Sequence, residues 1–181
     1  MVLPTLVVVS GAPGTGKTRL AHALATAIGC PAVCRDELKE GMVYTHGPTF
    51  AATPGDELTQ RTFPLFFSVV RLLLEGGVSV VAEAAFQDRV WRIGLEPLLP
   101  VATLRVIRCH VPDDTARARR VTRMQEPQRR AHDDADPRVV TPSAFAPISL
   151  AAPSLVVDTT SGYVPDLERI VSFVRAVIEA P

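Results

Sequence analysis

An excess of positive charge is missing from this sequence: 19 Lys and Arg residues face 19 Asp and Glu residues, so the formal net charge is zero. A chain so balanced has no overall field to hold long nucleic acid, and any polyanion site must be built locally. Long apolar runs are missing too. None approaches the roughly 18 residues that cross a bilayer, and the N-terminus lacks the basic stretch and apolar segment of a signal peptide. The expectation is a cytoplasmic protein with no membrane partner. Cysteine is scarce: Cys30, Cys34 and Cys109 are odd in number and lie in or beside apolar segments. With no CxxC or Cys/His spacing, they read as buried thiols and not as a zinc site. Internal repeats, low-complexity tracts and an interdomain linker are also absent. What remains, 181 residues with 47% hydrophobic content, is enough for one sizeable core, so residues 1–181 are expected to form a single domain.

Apolar runs at 6–10, 32–34, 78–82, 104–109 and 155–157 alternate with segments of helical spacing. Such alternation predicts an α/β fold with a five-stranded parallel sheet covered by helices on both faces. Leu20, Ala21, Leu24 and Ile28 define a helix face that Gly29 ends. A longer helix is predicted from about Asp56 to Glu75, with Pro64 kinking it or starting its main section. A last helix follows Pro165 and Asp166, its stripe running from Leu167 through Ile170, Val171, Val174 and Val177 to Ile178. The stretches 44–55 and 133–153 read as loops beside a site.

Directly behind the first apolar run stand Gly11, Ala12, Pro13, Gly14, Thr15, Gly16, Lys17 and Thr18. This is the GxxxxGK[ST] pattern in its proper strand-to-helix context, a phosphate-binding loop. Its glycines let successive N–H groups turn inward around a polyphosphate at the positive end of the helix that follows. Lys17 is placed to reach the β and γ phosphates of ATP, and the Thr18 hydroxyl to serve Mg²⁺, a hard cation that takes oxygen ligands.

Open parallel sheets hold ligands at the carboxyl ends of their strands, so the residues after each run are the candidates for chemistry. After the second run stand Arg35, Asp36, Glu37, Leu38 and Lys39; after the third, Glu83; after the fifth, Asp158, Thr159 and Thr160. A carboxylate at Asp36 can accept the proton of a hydroxyl attacking the γ phosphate, although Asp is also a common helix N-cap. Glu83 lies where phosphate-loop proteins place an acid that holds Mg²⁺ or its water, or else is a strand-end acid facing solvent.

GAPGTGKT, followed nineteen residues after its lysine by Asp36 in CRDELKE, resembles the small P-loop kinases related to phage polynucleotide kinase. Chloramphenicol phosphotransferase and the zeta-toxin kinases share that layout. The resemblance implies a three-layer P-loop NTPase fold of the nucleotide kinase type. It also implies that Asp36 is the base toward the acceptor and that Lys39, three positions on, helps hold substrate. AAFQDRVWR resembles the family's segment after the third strand, in which Arg89 or Arg92 faces substrate or lies on a solvated helix.

Arg105, Arg108, Arg117, Arg119, Arg120, Arg123, Arg129, Arg130 and Arg138 crowd nine of the 19 basic residues into one stretch. In the resembling kinases this is an arginine-rich lid, here about residues 112–135. The resemblance assigns Arg120 and Arg123 to phosphate contact and catalysis, Arg117 to the neighbourhood of adenine, and Thr159 to a loop against adenine. An ordinary charged helix face accounts for the remaining arginines. His132 with Asp133 and Asp134 needs no metal to be stable.

The function expected is an ATP-dependent phosphotransferase acting on the hydroxyl of a small molecule: a metabolite, antibiotic, sugar or nucleoside. A polynucleotide 5′-hydroxyl kinase, which would take nucleic acid only as an end-specific substrate, and a nucleotide-binding switch or ATPase without an acceptor are the alternatives. NKxD, which a GTPase needs to read guanine, is absent. A monomer or weak homodimer is expected.

Overall fold

The computed structural model describes residues 3–46, 50, 53, 56–124 and 145–176. Five parallel strands, β1 (Thr5–Ser10), β2 (Ala32–Cys34), β3 (Val80–Glu83), β4 (Thr103–His110) and β5 (Ser154–Asp158), form one sheet in the order β2-β3-β1-β4-β5. The α/β parallel architecture is as the sequence predicts. Strand β1 occupies the centre, which explains its unbroken Leu6–Val9 run: both of its faces are covered, so side chains of that run pack on either side without meeting water.

Alternate residues along the strands feed two cores, as the two-residue period of a strand requires. Leu6, Val8, Val80, Ala82, Leu104 and Val106 face α3 (Glu57–Glu75) and α4 (Asp88–Leu95), where Phe66, Val70, Leu74 and Trp91 are buried together with Phe86 from the β3–α4 connection. Val7, Val9, Val81 and Ile107 face α1 (Lys17–Ile28) and α6 (Leu167–Arg175), meeting Leu20, Leu24, Ile170 and Val174. A short 3₁₀ turn, Glu96–Leu98, leads into β4.

α3 keeps its expected bounds and runs through Pro64, so the proline does not start it; Asp56 caps it, its carboxylate accepting from the Thr59 N–H at 2.7 Å. Two elements differ from expectation. The second helix, α2 (Arg35–His46), takes in residues 44–46, which read as loop in the sequence. β3 begins at Val80 and extends to Glu83, because Glu83 still pairs with Val9 of β1 and Cys34 of β2. Residues 145–153 carry no helix or strand, in keeping with a loop, whereas Val177, Ile178, Glu126, Arg129, Arg130, His132, Asp133, Asp134, Pro137, Arg138 and Pro142 lie outside the described residues. Among the described residues no helix is long and apolar enough to cross a membrane.

Candidate active site

The ends of β1, β2 and β3 come level at the pairs Val9–Glu83 and Cys34–Glu83, and the phosphate loop rises from this edge. Gly14 and Gly16 adopt φ of +88° and +75°, a left-handed region that costs an L side chain about 1–2 kcal/mol. At Gly14 space is equally restrictive, since a Cβ would lie 2.5 Å from the carbonyl oxygen of Ala116 on α5 (Asp113–Met124). The Ala12 carbonyl accepts from the Thr15 N–H (3.3 Å), the Thr15 hydroxyl (2.8 Å) and the Lys17 ammonium (3.2 Å), holding the loop in a closed curve. Lys17 opens α1, behind a left-handed Gly16 at its N-cap.

Glu83 is 2% exposed, and its Oε2 accepts from the Thr18 hydroxyl at 3.0 Å, while its Oε1 lies 3.9 Å from the Lys17 ammonium. The sequence alternative of a strand-end acid in water is thereby removed. Burial raises the Glu83 pKa, and the charges of Asp36 and Glu37 add to that rise, with Lys17 and Thr18 opposing. A buried carboxylate beside a hydroxyl is a hard-oxygen pair that suits Mg²⁺. The same negative charge acts on Cys34: burial first, then Glu83, Glu37 and Asp36, push its thiol pKa upward.

Asp36 lies in the first turn of α2, which begins at Arg35, so it is inside the helix and not its N-cap. Its side chain is 52% exposed and its Oδ1 accepts from the Arg35 guanidinium at 2.9 Å. Exposure with electrostatic reach to Glu83 is what a group addressing both solvent-borne acceptor and phosphate needs.

Lys39 departs from its expected substrate role. It is 1% exposed, and its ammonium donates to Asp56 Oδ2 and Thr59 Oγ1, both at 2.7 Å, binding α2 to the start of α3. Asp56 answers with a lowered pKa: burial works against the shift, and the hydrogen bonds from Lys39 and the Thr59 N–H outweigh it. Arg92 pairs with Asp88 one turn earlier and donates to the Ser149 carbonyl at 2.8 Å, fixing the 145–153 loop to α4. Arg89 belongs to α4 by its backbone, and its side chain lies outside the described residues.

On α5 Arg119, left among the ordinary face residues by the sequence, reaches the phosphate loop. Its guanidinium donates to the carbonyls of Thr159 (2.8 Å), Thr160 (2.9 Å) and Gly14 (3.5 Å). The usable signal was Ala116: a small residue able to pack against the loop, with Arg119 three positions on along the same face. Arg120 and Arg123 are half-buried and Arg117 is exposed. Burial, then the like charge of Arg117, lowers the Arg120 pKa while Asp113 opposes. Thr159 is buried, and its hydroxyl donates to the Thr15 carbonyl at 2.6 Å, so this side chain braces the phosphate loop from behind.

A family profile described as an AAA domain matches residues 6–140, from β1 through the phosphate loop, Asp36, Glu83 and α5. The chain belongs to this AAA domain family. Its fold is that of the P-loop kinases. Among solved structures, it is similar to a candidate kinase from Chloroflexus aurantiacus, at 28% identity and a TM-score of 0.83, covering 96% of this chain and 97% of that one. It is also similar to a sugar kinase from Janibacter, at 18% identity and a TM-score of 0.67, covering 94% of both chains. A third likeness is to the Mycobacterium tuberculosis APS kinase in complex with AMPPNP and APS, at 14% identity and a TM-score of 0.65, covering 97% of this chain and 100% of that one. The last two, at such identity, bear on the fold alone. No curated protein matches. For this AAA domain, nucleotide binding follows from the family and from an intact phosphate loop.

Proposed function

We infer that this chain is an ATP-dependent kinase that transfers the γ-phosphoryl group to a hydroxyl of a small molecule. The observation that carries the reading is the meeting of Thr18 with Glu83 at 3.0 Å beside Lys17, with the exposed Asp36 carboxylate near enough to raise the Glu83 pKa. The phosphate loop and Lys17 orient the triphosphate; Asp36 accepts the acceptor's proton as its oxygen attacks phosphorus. Thr18 would hold Mg²⁺ directly and Glu83 would hold it or its water. When bound, the cation neutralises charge on the β and γ phosphates. Arg120, lying near Arg117 and destabilised by it, gains from an anion, which suits a phosphate contact. Arg123 on the same helix supports that contact, and Arg117 remains the candidate beside adenine.

The likeness to a candidate kinase supports phosphoryl transfer, and zero net charge disfavours long nucleic acid, which leaves a small molecule as the favoured acceptor. The absence of the guanine-reading NKxD disfavours a GTPase switch. The experiment is labelled ATP presented with a panel of hydroxyl compounds, using wild type, Lys17→Met and Asp36→Asn. Acceptor-dependent transfer lost in both variants supports the reading. Undiminished transfer in Asp36→Asn removes it from the base role, and phosphate release to water that no hydroxyl compound enhances favours the switch.

A further inference from the structure

Three side chains that the phosphoryl-transfer reading does not use converge behind Asp36. His22 comes from α1, Cys34 from the end of β2 and Glu37 from the first turn of α2. His22 Nε2 lies 2.6 Å from Glu37 Oε1 and 3.8 Å from Cys34 Sγ, and one ligand atom from each of the three falls within 4.8 Å of the others. We propose that His22, Cys34 and Glu37 form a binding site for a borderline-soft divalent cation, zinc above all, separate from the Thr18–Glu83 magnesium position.

The chemistry of the set selects the ion. One sulfur, one imidazole nitrogen and one carboxylate oxygen are three of the ligand types that Zn²⁺ takes, whereas Mg²⁺ asks for oxygen throughout. Bonds of about 2.0–2.3 Å in a tetrahedron put ligand atoms roughly 3.3–3.7 Å apart. The His22–Cys34 separation is already close to that, and the 2.6 Å His22–Glu37 contact need only open by about 1 Å, which the long Glu37 side chain allows. Access is asymmetric: the His22 and Glu37 side chains are 51% and 44% exposed, while Cys34 is 2% exposed. An ion therefore enters from solvent past the two exposed ligands and meets the sulfur at the floor, with water as its fourth ligand. Binding leaves the thiolate on the metal and releases the thiol proton to solvent. The carboxylates of Asp36 and Glu83 nearby make the potential there favourable to a cation.

Loading the site would tie the first turn of α2, which carries Asp36, to α1, which carries Lys17 and Thr18. The binding itself does not depend on kinase activity. The test uses the whole chain stripped with a chelator and titrated with Co²⁺, then Zn²⁺, in the presence of excess Mg²⁺. One Co²⁺ per chain should produce intense tetrahedral visible bands and a thiolate charge-transfer band in the near ultraviolet, both removed by Zn²⁺. Cys34→Ser should abolish the charge-transfer band, while Cys30→Ser and Cys109→Ser keep it. His22→Gln, a change at the surface that serves even if Cys34→Ser fails to fold, should weaken Zn²⁺ by about tenfold or more against a chromophoric chelator. Absence of the band in wild type, its survival in Cys34→Ser, or unchanged Zn²⁺ affinity in His22→Gln would overturn the proposal.

Discussion

Thr18 and Glu83 stand 65 positions apart in sequence, yet the hydroxyl of one donates to the buried carboxylate of the other at 3.0 Å. The sheet order makes this possible: β3 lies directly beside β1, so the acid ending β3 comes level with the helix that β1 feeds. Glu83→Gln keeps the shape and an acceptor for Thr18 while deleting the charge that magnesium would need. Turnover should fall by about 10- to 100-fold, with more Mg²⁺ required for half-maximal rate. The urea midpoint should move little, because removing a desolvated carboxylate offsets the loss of the Lys17 counter-charge. A Mg²⁺ titration of ATP turnover and a urea melt check the two halves separately; unchanged Mg²⁺ dependence would place Glu83 outside the metal's reach.

Arg119 acts on nucleotide binding through the backbone it holds. Its two short hydrogen bonds to Thr159 and Thr160 and the longer one to Gly14 join α5, the β5 exit and the phosphate loop. Hydrogen bonds to a charged group contribute about 1.5–3 kcal/mol, so Arg119→Met should raise the ATP KM by roughly tenfold or more. Arg117→Met, which removes an exposed side chain proposed to lie beside adenine, should raise it less, by about threefold. Equal effects from the two variants would show that α5 contributes charge alone and not a specific clasp.

The parallel sheet and the phosphate loop were legible because both are local: a buried strand reads as an unbroken apolar run, and the loop's glycines sit at fixed spacing. Asp36 and Glu83 were legible as strand-end residues for the same reason. What escaped depends on contacts distant in sequence. Lys39 occupies the right place for a substrate ligand, but Asp56, 17 positions later, claims its ammonium, and no pattern within CRDELKE announces that partner. Likewise, consecutive arginines on α5 look alike as letters; only the packing of Ala116 against Gly14 turns Arg119 toward the loop. His22 carried no signal, since its neighbours Cys34 and Glu37 arrive from other elements.

Gly14 and Gly29 separate a functional backbone constraint from a structural one. Both have positive φ, +88° and +77°, but a Cβ on Gly14 would meet the Ala116 carbonyl at 2.5 Å, whereas one on Gly29 would meet nothing within 4 Å. Gly29→Ala should therefore cost about 1 kcal/mol of stability at the α1 C-cap and leave the ATP KM unchanged. Gly14→Ala must displace either the loop or α5, and its main effect should be on nucleotide affinity, with at least about a tenfold loss. Isothermal titration with a non-hydrolysable ATP analogue alongside thermal melts distinguishes them; a Gly14→Ala protein that binds normally would mean the loop tolerates a shift the packing here forbids.

The Lys39–Asp56 pair gives a stability prediction with a definite pH sign. Both side chains are buried, at 1% and 7% exposure, so Lys39→Met strands a carboxylate without its counter-ion and should cost about 3–5 kcal/mol in urea unfolding. Adding Asp56→Asn, which removes the charge but keeps an acceptor for the Thr59 N–H, should recover much of that loss. In the wild type the Asp56 pKa is held below its ordinary value of 3.8. Its stabilising contribution is thus complete above that value and disappears as pH falls through the folded-state pKa. In Lys39→Met the sign reverses: an unpaired buried Asp56 has a raised pKa, so protonation relieves the fold and the penalty shrinks on acidification. The difference in unfolding free energy between the two proteins should therefore narrow steadily from about pH 6 toward about pH 3. A difference independent of pH, or a Lys39→Met protein of full stability with impaired substrate binding, would return Lys39 to the substrate role its position in the sequence had indicated.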